Sequence, residues 1–124
     1  MGYHVLASND LADTPDHPCD RRSVTEAVDL ATLAAAVYTI APGEQLSREY
    51  HYHEHREELF YVLAGRLHVE TPDMEYEVGP EEVFVAEPES PLRPYNPASA
   101  DGPVRVFGVG APKFDPGRPY EPDG

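Results

Sequence analysis

The sequence predicts an all-β fold, and two observations support this prediction. Fourteen prolines and nine glycines are spread along 124 residues, a frequency that interrupts long helices and favours short strands joined by turns. Apolar and β-branched runs recur at spacings of about 8 to 12 residues, as they do in sandwiches and barrels. A chain of this length suits one domain with a single core.

The domain organisation follows from where the strand pattern begins and ends. Residues 1–22 are polar and weakly periodic, so we interpret them as an amino-terminal arm, with a short edge strand at Tyr3–Ala7. The barrel is predicted over 23–110. The tail, 111–124, contains four prolines and is expected to be an extended wrap or disordered. No internal repeat is evident.

Within the predicted barrel, strands follow one another with little interruption. Ser23–Asp29 favours a helical turn, whereas Ala34–Ala41 favours a strand because of its β-branched and aromatic residues. Pro42-Gly43 ends that strand with a turn. The later predicted strands are Arg48–His53, Glu57–Leu63, Leu67–Thr71, Glu75–Val78, Val83–Glu87, Leu92–Tyr95 and Val104–Val109.

The charge balance excludes two classes of partner. Acidic side chains number 23 against 9 basic ones, the net charge is −14, and Lys113 is the only lysine. Nucleic acid and anionic membranes both bind through clusters of Lys and Arg, so neither is expected as a partner. Because salt screens self-repulsion, this composition resembles that of proteins from salt-accumulating halophiles, with an ordinary acidic cytosolic protein as the alternative.

Cysteine usage and hydropathy bear on the location of the protein. Cys19 is the only cysteine, so the chain has neither an intrachain disulfide nor a cysteine-based zinc cluster. No signal-like start and no apolar run of about 20 residues is found. We therefore expect a cytoplasmic protein whose stability depends on its core.

A histidine cluster is the strongest functional signal. His51, His53 and His55 lie within five residues. Because side chains alternate across a strand, His51 and His53 are expected on one face, close enough to share a metal ion. The direction of His55 is open, since the chain must turn there. The competing interpretation is a group of exposed histidines beside the acidic loop Glu54–Glu58.

The following strand adds a carboxylate. Glu58 shares the parity of Phe60 and Val62, so it is expected at the end of an apolar lining, where a carboxylate needs a cation or hydrogen bonds. A two-residue hairpin turn at Ala64-Gly65 would pair Phe60 with Val69 and Val62 with Leu67. The same register pairs Tyr61 with His68 and excludes His68 from the site. Two imidazoles and one carboxylate suit Fe(II), and they also suit Mn, Ni, Co or Zn.

These residues resemble the first conserved motif of the cupin superfamily. The motif has the form HxH, three or four residues, E, six residues, G. Here His51-x-His53 is followed by four residues, Glu58, six residues and Gly65. The resemblance covers roughly Ala35 to Val109. It implies a double-stranded β-helix, or jelly-roll barrel, that often dimerises and holds a metal through three His and one Glu.

The second cupin motif is degraded. Gly79 opens it, Pro88 takes the proline position and Asn96 closes it, but Glu89 stands at the position of a glycine. Leu92 stands where the family carries its third metal histidine, and leucine cannot bind a metal. The expected metal ligands are therefore His51, His53 and Glu58. The further ligand is left open between water, His55 and a residue of the amino-terminal arm such as His17.

Three functions are consistent with this pattern. The first is a small cupin that binds a divalent metal (Zn, Ni, Mn or Fe) and/or a small molecule inside the barrel. The second is a metal-dependent oxygenase or isomerase, with Arg48, Arg93 and Tyr95 as candidates for orienting substrate by chain position alone. The third is a structural cupin without a ligand. The outward apolar residues Leu59, Tyr61 and Leu63 predict cover by a second subunit, hence a homodimer, or by the terminal arms.

Overall fold

The computed structural model describes residues 2–122, and its secondary structure there is almost entirely β. One short helix, α1 (Val24–Val28), and a single 3-10 turn at Ser8–Asp10 are the helical elements of this part of the chain. The strands are β1 (Asp20–Ser23), β2 (Ala34–Ile40), β3 (His51–Tyr52), β4 (Glu57–Ala64), β5 (Leu67–Glu70), β6 (Glu75–Val78), β7 (Val83–Ala86), β8 (Arg93–Tyr95), β9 (Val104–Ala111) and β10 (Arg118–Pro119).

The strands form antiparallel sheets. The first has the order β1-β2-β9-β4-β7 and the second the order β6-β5-β8. Isolated bridges from Gln45 to Tyr95 and from His51 to Leu92 continue the second sheet towards β3 and β10, which pair with each other. From β4 onward the chain passes repeatedly between the two sheets. The expected all-β architecture of a double-stranded β-helix is thus confirmed.

Two local predictions are wrong. The edge strand expected at Tyr3–Ala7 is absent; β1 forms the edge instead and pairs with β2. The hairpin between β4 and β5 is also absent, because β4 pairs with β7 and β9 while β5 pairs with β6 and β8. At the turn, Gly65 has φ of 83°. A Cβ there would lie 2.7 Å from the carbonyl oxygen of Pro103, so Gly65 lets the chain cross between sheets.

The core lies between the sheets and is mainly aliphatic, with Phe60 as a buried aromatic member. Inward residues of β4 and β5, predicted from alternation, are buried as expected, and His68 is excluded from the core. Burying each such side chain contributes about 1.5–3 kcal/mol to folding. The largest fully buried apolar side chains are Ile40, Val62, Leu67, Val69, Val104 and Val106.

The two ends of the described chain contribute to the barrel as well. The amino-terminal arm supplies Leu11 and Cys19 as buried residues. The carboxyl-terminal segment is an extended wrap rather than a free tail, since β10 pairs with β3. Between residues 2 and 122, no helix has the length and apolar character needed to cross a membrane.

Candidate metal centre

Three side chains from two elements converge at one point between the sheets. His51 and His53 come from β3 and the residue that follows it, and Glu58 comes from the start of β4. One ligand atom from each lies within 4.8 Å of the others. Metal–ligand bonds are about 2 Å long, so a small inward movement of these side chains brings all three atoms into range of one ion. The donor set fits a divalent metal.

Both imidazoles present the same nitrogen to this point. His53 Nδ1 donates to the carbonyl oxygen of Asp115 at 2.6 Å, and His51 Nδ1 donates to the carbonyl oxygen of Glu49 at 2.9 Å. With the proton fixed on Nδ1, each Nε2 has a free lone pair. The two rings are 5.1 Å apart and nearly perpendicular. Both rings are therefore oriented so that Nε2 is the nitrogen available to a metal ion.

His53 is the most buried member of the set, with 7% of its surface exposed. Burial lowers the pKa of His53 below its ordinary value, and the neighbouring Arg56 and His51 side chains act in the same direction, while Glu58 and the hydrogen bond to the Asp115 carbonyl oppose them. The neutral imidazole is the form that binds metals. The environment of His53 therefore favours the neutral imidazole, which is the form able to bind a metal.

Glu58 is shared between two positive or potentially positive partners. Its Oε2 lies 4.0 Å from His53 Nε2 and 3.8 Å from Arg56 Nη1. In the barrel wall Glu58 is opposite Gly110 on β9 and Ala86 on β7. Small neighbours leave its side chain room to turn inward. The carboxylate that the sequence placed at the end of an apolar lining is thus compensated by charge.

The carboxyl-terminal segment supports the site in a way that the sequence did not predict. The Asp115 carboxylate accepts hydrogen bonds from the backbone N–H groups of His55 and Arg56, at 2.7 and 2.6 Å. Burial raises the pKa of Asp115, but these two donors together with His53 and His55 outweigh it and hold the pKa below its ordinary value. Gly117 covers the site, because a Cβ there would lie 3.0 Å from His51 Cδ2.

Leu92 occupies the side of the site where the cupin motif places a third histidine. It exchanges both backbone hydrogen bonds with His51, at 3.2 and 2.9 Å, so the two side chains share one face of the sheet. Leu92 is 2% exposed and belongs to the core. Glu89, at the motif's glycine position, has φ of 66°. A positive φ is the backbone conformation that glycine adopts most readily, as expected at a glycine position of the motif.

The remaining predicted residues do not join the three converging side chains. His55 is exposed, and His17 contacts the carbonyl oxygen of Leu46 at 2.7 Å. Neither belongs to the cluster of potential ligands in the described chain. Arg93 pairs with Glu70, and Tyr95 donates to Glu75, both on the outside of the second sheet. Arg48 is exposed. Their candidacy for orienting substrate is not supported.

Solved structures share this architecture at low sequence identity. The polyketide cyclase RemF from Streptomyces resistomycificus gives a TM-score of 0.79 at 21% identity, covering 97% of this chain and 87% of that one. A double-stranded β-helix protein from Klebsiella pneumoniae gives 0.75 at 17% identity, covering 97% and 99%. A sugar phosphate isomerase from Silicibacter pomeroyi gives 0.68 at 20% identity, covering 76% of this chain but only 59% of that one. These likenesses show the fold alone.

Sequence similarity identifies the family to which the chain belongs. A search of curated proteins gives no significant match. The sequence model of the cupin domain family, in contrast, matches residues 36–110, well over half of the chain. This range contains the first motif, the three converging side chains and every strand from β3 to β8. Together with the two-sheet architecture, the match shows that the chain belongs to the cupin domain family.

Proposed function

We propose that this cupin binds a divalent metal ion through His51, His53 and Glu58, and a small molecule beside it. The observation that carries the proposal is the convergence of three ligand atoms within 4.8 Å. Two imidazole nitrogens and a carboxylate suit Zn, Ni, Mn or Fe. With leucine at position 92, three protein ligands leave open positions for water or for a bound molecule.

Metal content tests this proposal directly. The protein is purified without a His-tag, and bound metal is measured by elemental analysis before and after adding Fe(II), Mn(II), Ni(II) and Zn(II). We expect about one ion per chain, lost in His53→Ala and Glu58→Gln. His68→Ala is the matched control, because His68 faces Glu75 and Tyr95 away from the centre. A stoichiometry near zero with all four metals would leave a structural cupin as the remaining function.

A second candidate is a metal-dependent enzyme acting on a small molecule, as an oxygenase or isomerase. The open coordination positions favour it, since catalytic sites keep such positions for substrate. Two proteins of similar fold are a sugar phosphate isomerase and a polyketide cyclase. Turnover that disappears in Glu58→Gln would support the enzyme, whereas metal binding without turnover of any small molecule supports the binding function.

We also propose that the chain forms a homodimer through the outer face of its first sheet. Leu59 and Tyr61 on β4 are opposite Val85 and Val83 on β7, and Leu63 continues this face. These five side chains, the outer apolar face, remain 36% to 61% exposed. The described parts of the two terminal arms leave this face exposed. A second subunit is therefore better supported than the arms as the partner that covers it.

The acidic composition supports a proposed location in a salt-rich cytoplasm. A net charge of −14 on 124 residues destabilises the compact state unless salt screens it. We expect the melting temperature to rise steadily between low salt and molar KCl. Equal melting temperatures across this range would contradict the halophilic assignment.

A further inference from the structure

A cavity of about 370 Å³ opens beside the candidate metal centre, on the inner side of the first sheet. Glu58 and Phe60 of β4 and Tyr38 of β2 line it. The cavity exists because β9 carries two inward glycines. A Cβ at Gly108 would lie 3.0 Å from Tyr38 Cε2, and one at Gly110 would lie 2.8 Å from Arg56 Cδ. Its size is at the lower end for small-molecule sites.

The charge around this cavity differs from that of the rest of the protein. Only nine side chains of the chain are basic, yet Arg21, Arg56 and Lys113 all line it. Two of the three acidic residues of the lining, Glu26 and Asp29, are exposed. Glu58 is the inner one. A third of the basic residues is therefore concentrated around one cavity of a strongly acidic protein.

A metal bound at Glu58 would compete with Arg56 for the same carboxylate. Arg56 Nη1 lies 3.8 Å from Glu58 Oε2, the same oxygen that lies 4.0 Å from His53 Nε2. Its other nitrogens donate to the carbonyl oxygens of Pro112 and Lys113. An ion bound by Glu58 withdraws that carboxylate and leaves the Arg56 charge, only 15% exposed, without an anionic partner. The carbonyl partners remain, but a largely buried cation without a charged partner favours the binding of a new anion.

A hydroxyl group lies in the same lining. Burial raises the pKa of Tyr38, with Glu58 acting in the same direction against Arg21, so the phenol stays protonated. Arg21 is held by Thr14 at 3.0 Å and by Glu26 at 3.4 Å. The Arg56 guanidinium and the Tyr38 phenol therefore line the same cavity, which also reaches Glu58. Both groups are donors that pair well with a carboxylate.

We propose that this cavity binds a small carboxylate, held by Arg56 and Tyr38, and that metal binding at Glu58 promotes it. The proposal rests on the metal site proposed above. The coupling is reciprocal: a carboxylate that occupies Arg56 frees Glu58 for the metal, so each ligand strengthens the binding of the other. The ligand class is a small organic monoanion rather than a neutral molecule of the same shape.

Benzoate and its neutral analogue benzamide test this proposal by calorimetry on Zn(II)-loaded and metal-free protein. We expect benzoate to bind the loaded protein at least tenfold more tightly than the metal-free protein, and at least tenfold more tightly than benzamide, since charge-assisted hydrogen bonds are the stronger ones. Arg56→Gln should lose at least tenfold in benzoate affinity. Arg105→Gln is the matched control, because Arg105 is exposed on the outer side of β9.

Two further measurements keep the result interpretable. Tyr38→Phe removes one oxygen and preserves the ring, so it replaces Arg56→Gln if loss of the contacts to Pro112 and Lys113 prevents folding. Zn(II) affinity, from competition with a chelator, is measured on every variant and should not fall in Arg56→Gln. If Zn(II) binds but benzoate and benzamide bind equally, the carboxylate site is refuted while the metal site stands. If Zn(II) does not bind at all, the metal site and its coupling are both refuted.

Discussion

His53 donates its Nδ1 proton to the carbonyl oxygen of Asp115, 62 residues further along the chain, at 2.6 Å. This bond directs Nε2 of the same ring towards Glu58, 4.0 Å away. The Asp115 carboxylate simultaneously holds the backbone of His55 and Arg56. One residue of the carboxyl-terminal segment thus sets both the tautomer of a candidate ligand and the turn that carries the chain to Glu58.

Replacing Asp115 is expected to weaken metal binding without removing a ligand. In Asp115→Ala the turn after His53 loses its acceptor, and loss of such a supporting contact typically costs about ten- to a hundredfold in metal affinity. Chelator competition measures the change, and Glu121→Ala, at an exposed position of the same segment, serves as the control. Equal affinities in the two variants would contradict a positioning role for Asp115.

Leu92→His should raise metal affinity about tenfold or more, because an added imidazole on the face shared with His51 fills an open coordination position. The metal-free variant should lose about 2 kcal/mol or more of its free energy of unfolding, since a buried leucine is replaced by a polar group. Leu92→Asn isolates this stability cost without adding a strong ligand. If both variants bind metal as the parent does, Leu92 does not face the ion.

A positive charge on the outer apolar face should separate the subunits. In Val85→Arg, two like charges meet across the proposed symmetric interface and the apolar contact is lost. Light scattering after gel filtration should show a change from dimer to monomer, while Val5→Arg, at a fully exposed position of the arm, should remain dimeric. A parent protein that is monomeric at every concentration would rule out this interface.

Cys19 is expected to be unreactive in the folded protein. Burial raises the pKa of its thiol to about 12, and Glu44 and Asp20 add to the effect. The reactive thiolate is therefore scarce until the pH approaches that value. Ellman's reagent at mildly alkaline pH should label Cys19 only after denaturation, whereas the exposed thiol of Ala98→Cys reacts at once. Rapid labelling of the native parent protein would show that Cys19 is accessible.

Side chains alternate between the two faces of a strand, and this local rule is why the sequence could predict which residues converge. The parity of His51 and His53, and of Glu58 with Phe60 and Val62, depends only on neighbouring residues in extended conformation. The structure accordingly brings the two imidazoles and the carboxylate together. Their role as metal ligands stays a prediction.

The features that the sequence did not reveal depend on pairing between strands that are distant in the chain. The Ala64-Gly65 turn has the composition of a hairpin, but Gly65 is needed for its close approach to Pro103 and Val104, which no local pattern encodes. Asp115 lies in a proline-rich stretch without periodicity. The role of Gly108 and Gly110 in opening the cavity could be inferred only once β9 was known to pair with β4.

The position of Asp115 in the chain also has a consequence for biosynthesis. A ribosome delivers His51 and His53 long before it delivers residues 115–119, so a nascent barrel carries these imidazoles without the segment that orients and covers them. The geometry of the candidate site is therefore complete only after residues 115–117 have been synthesised.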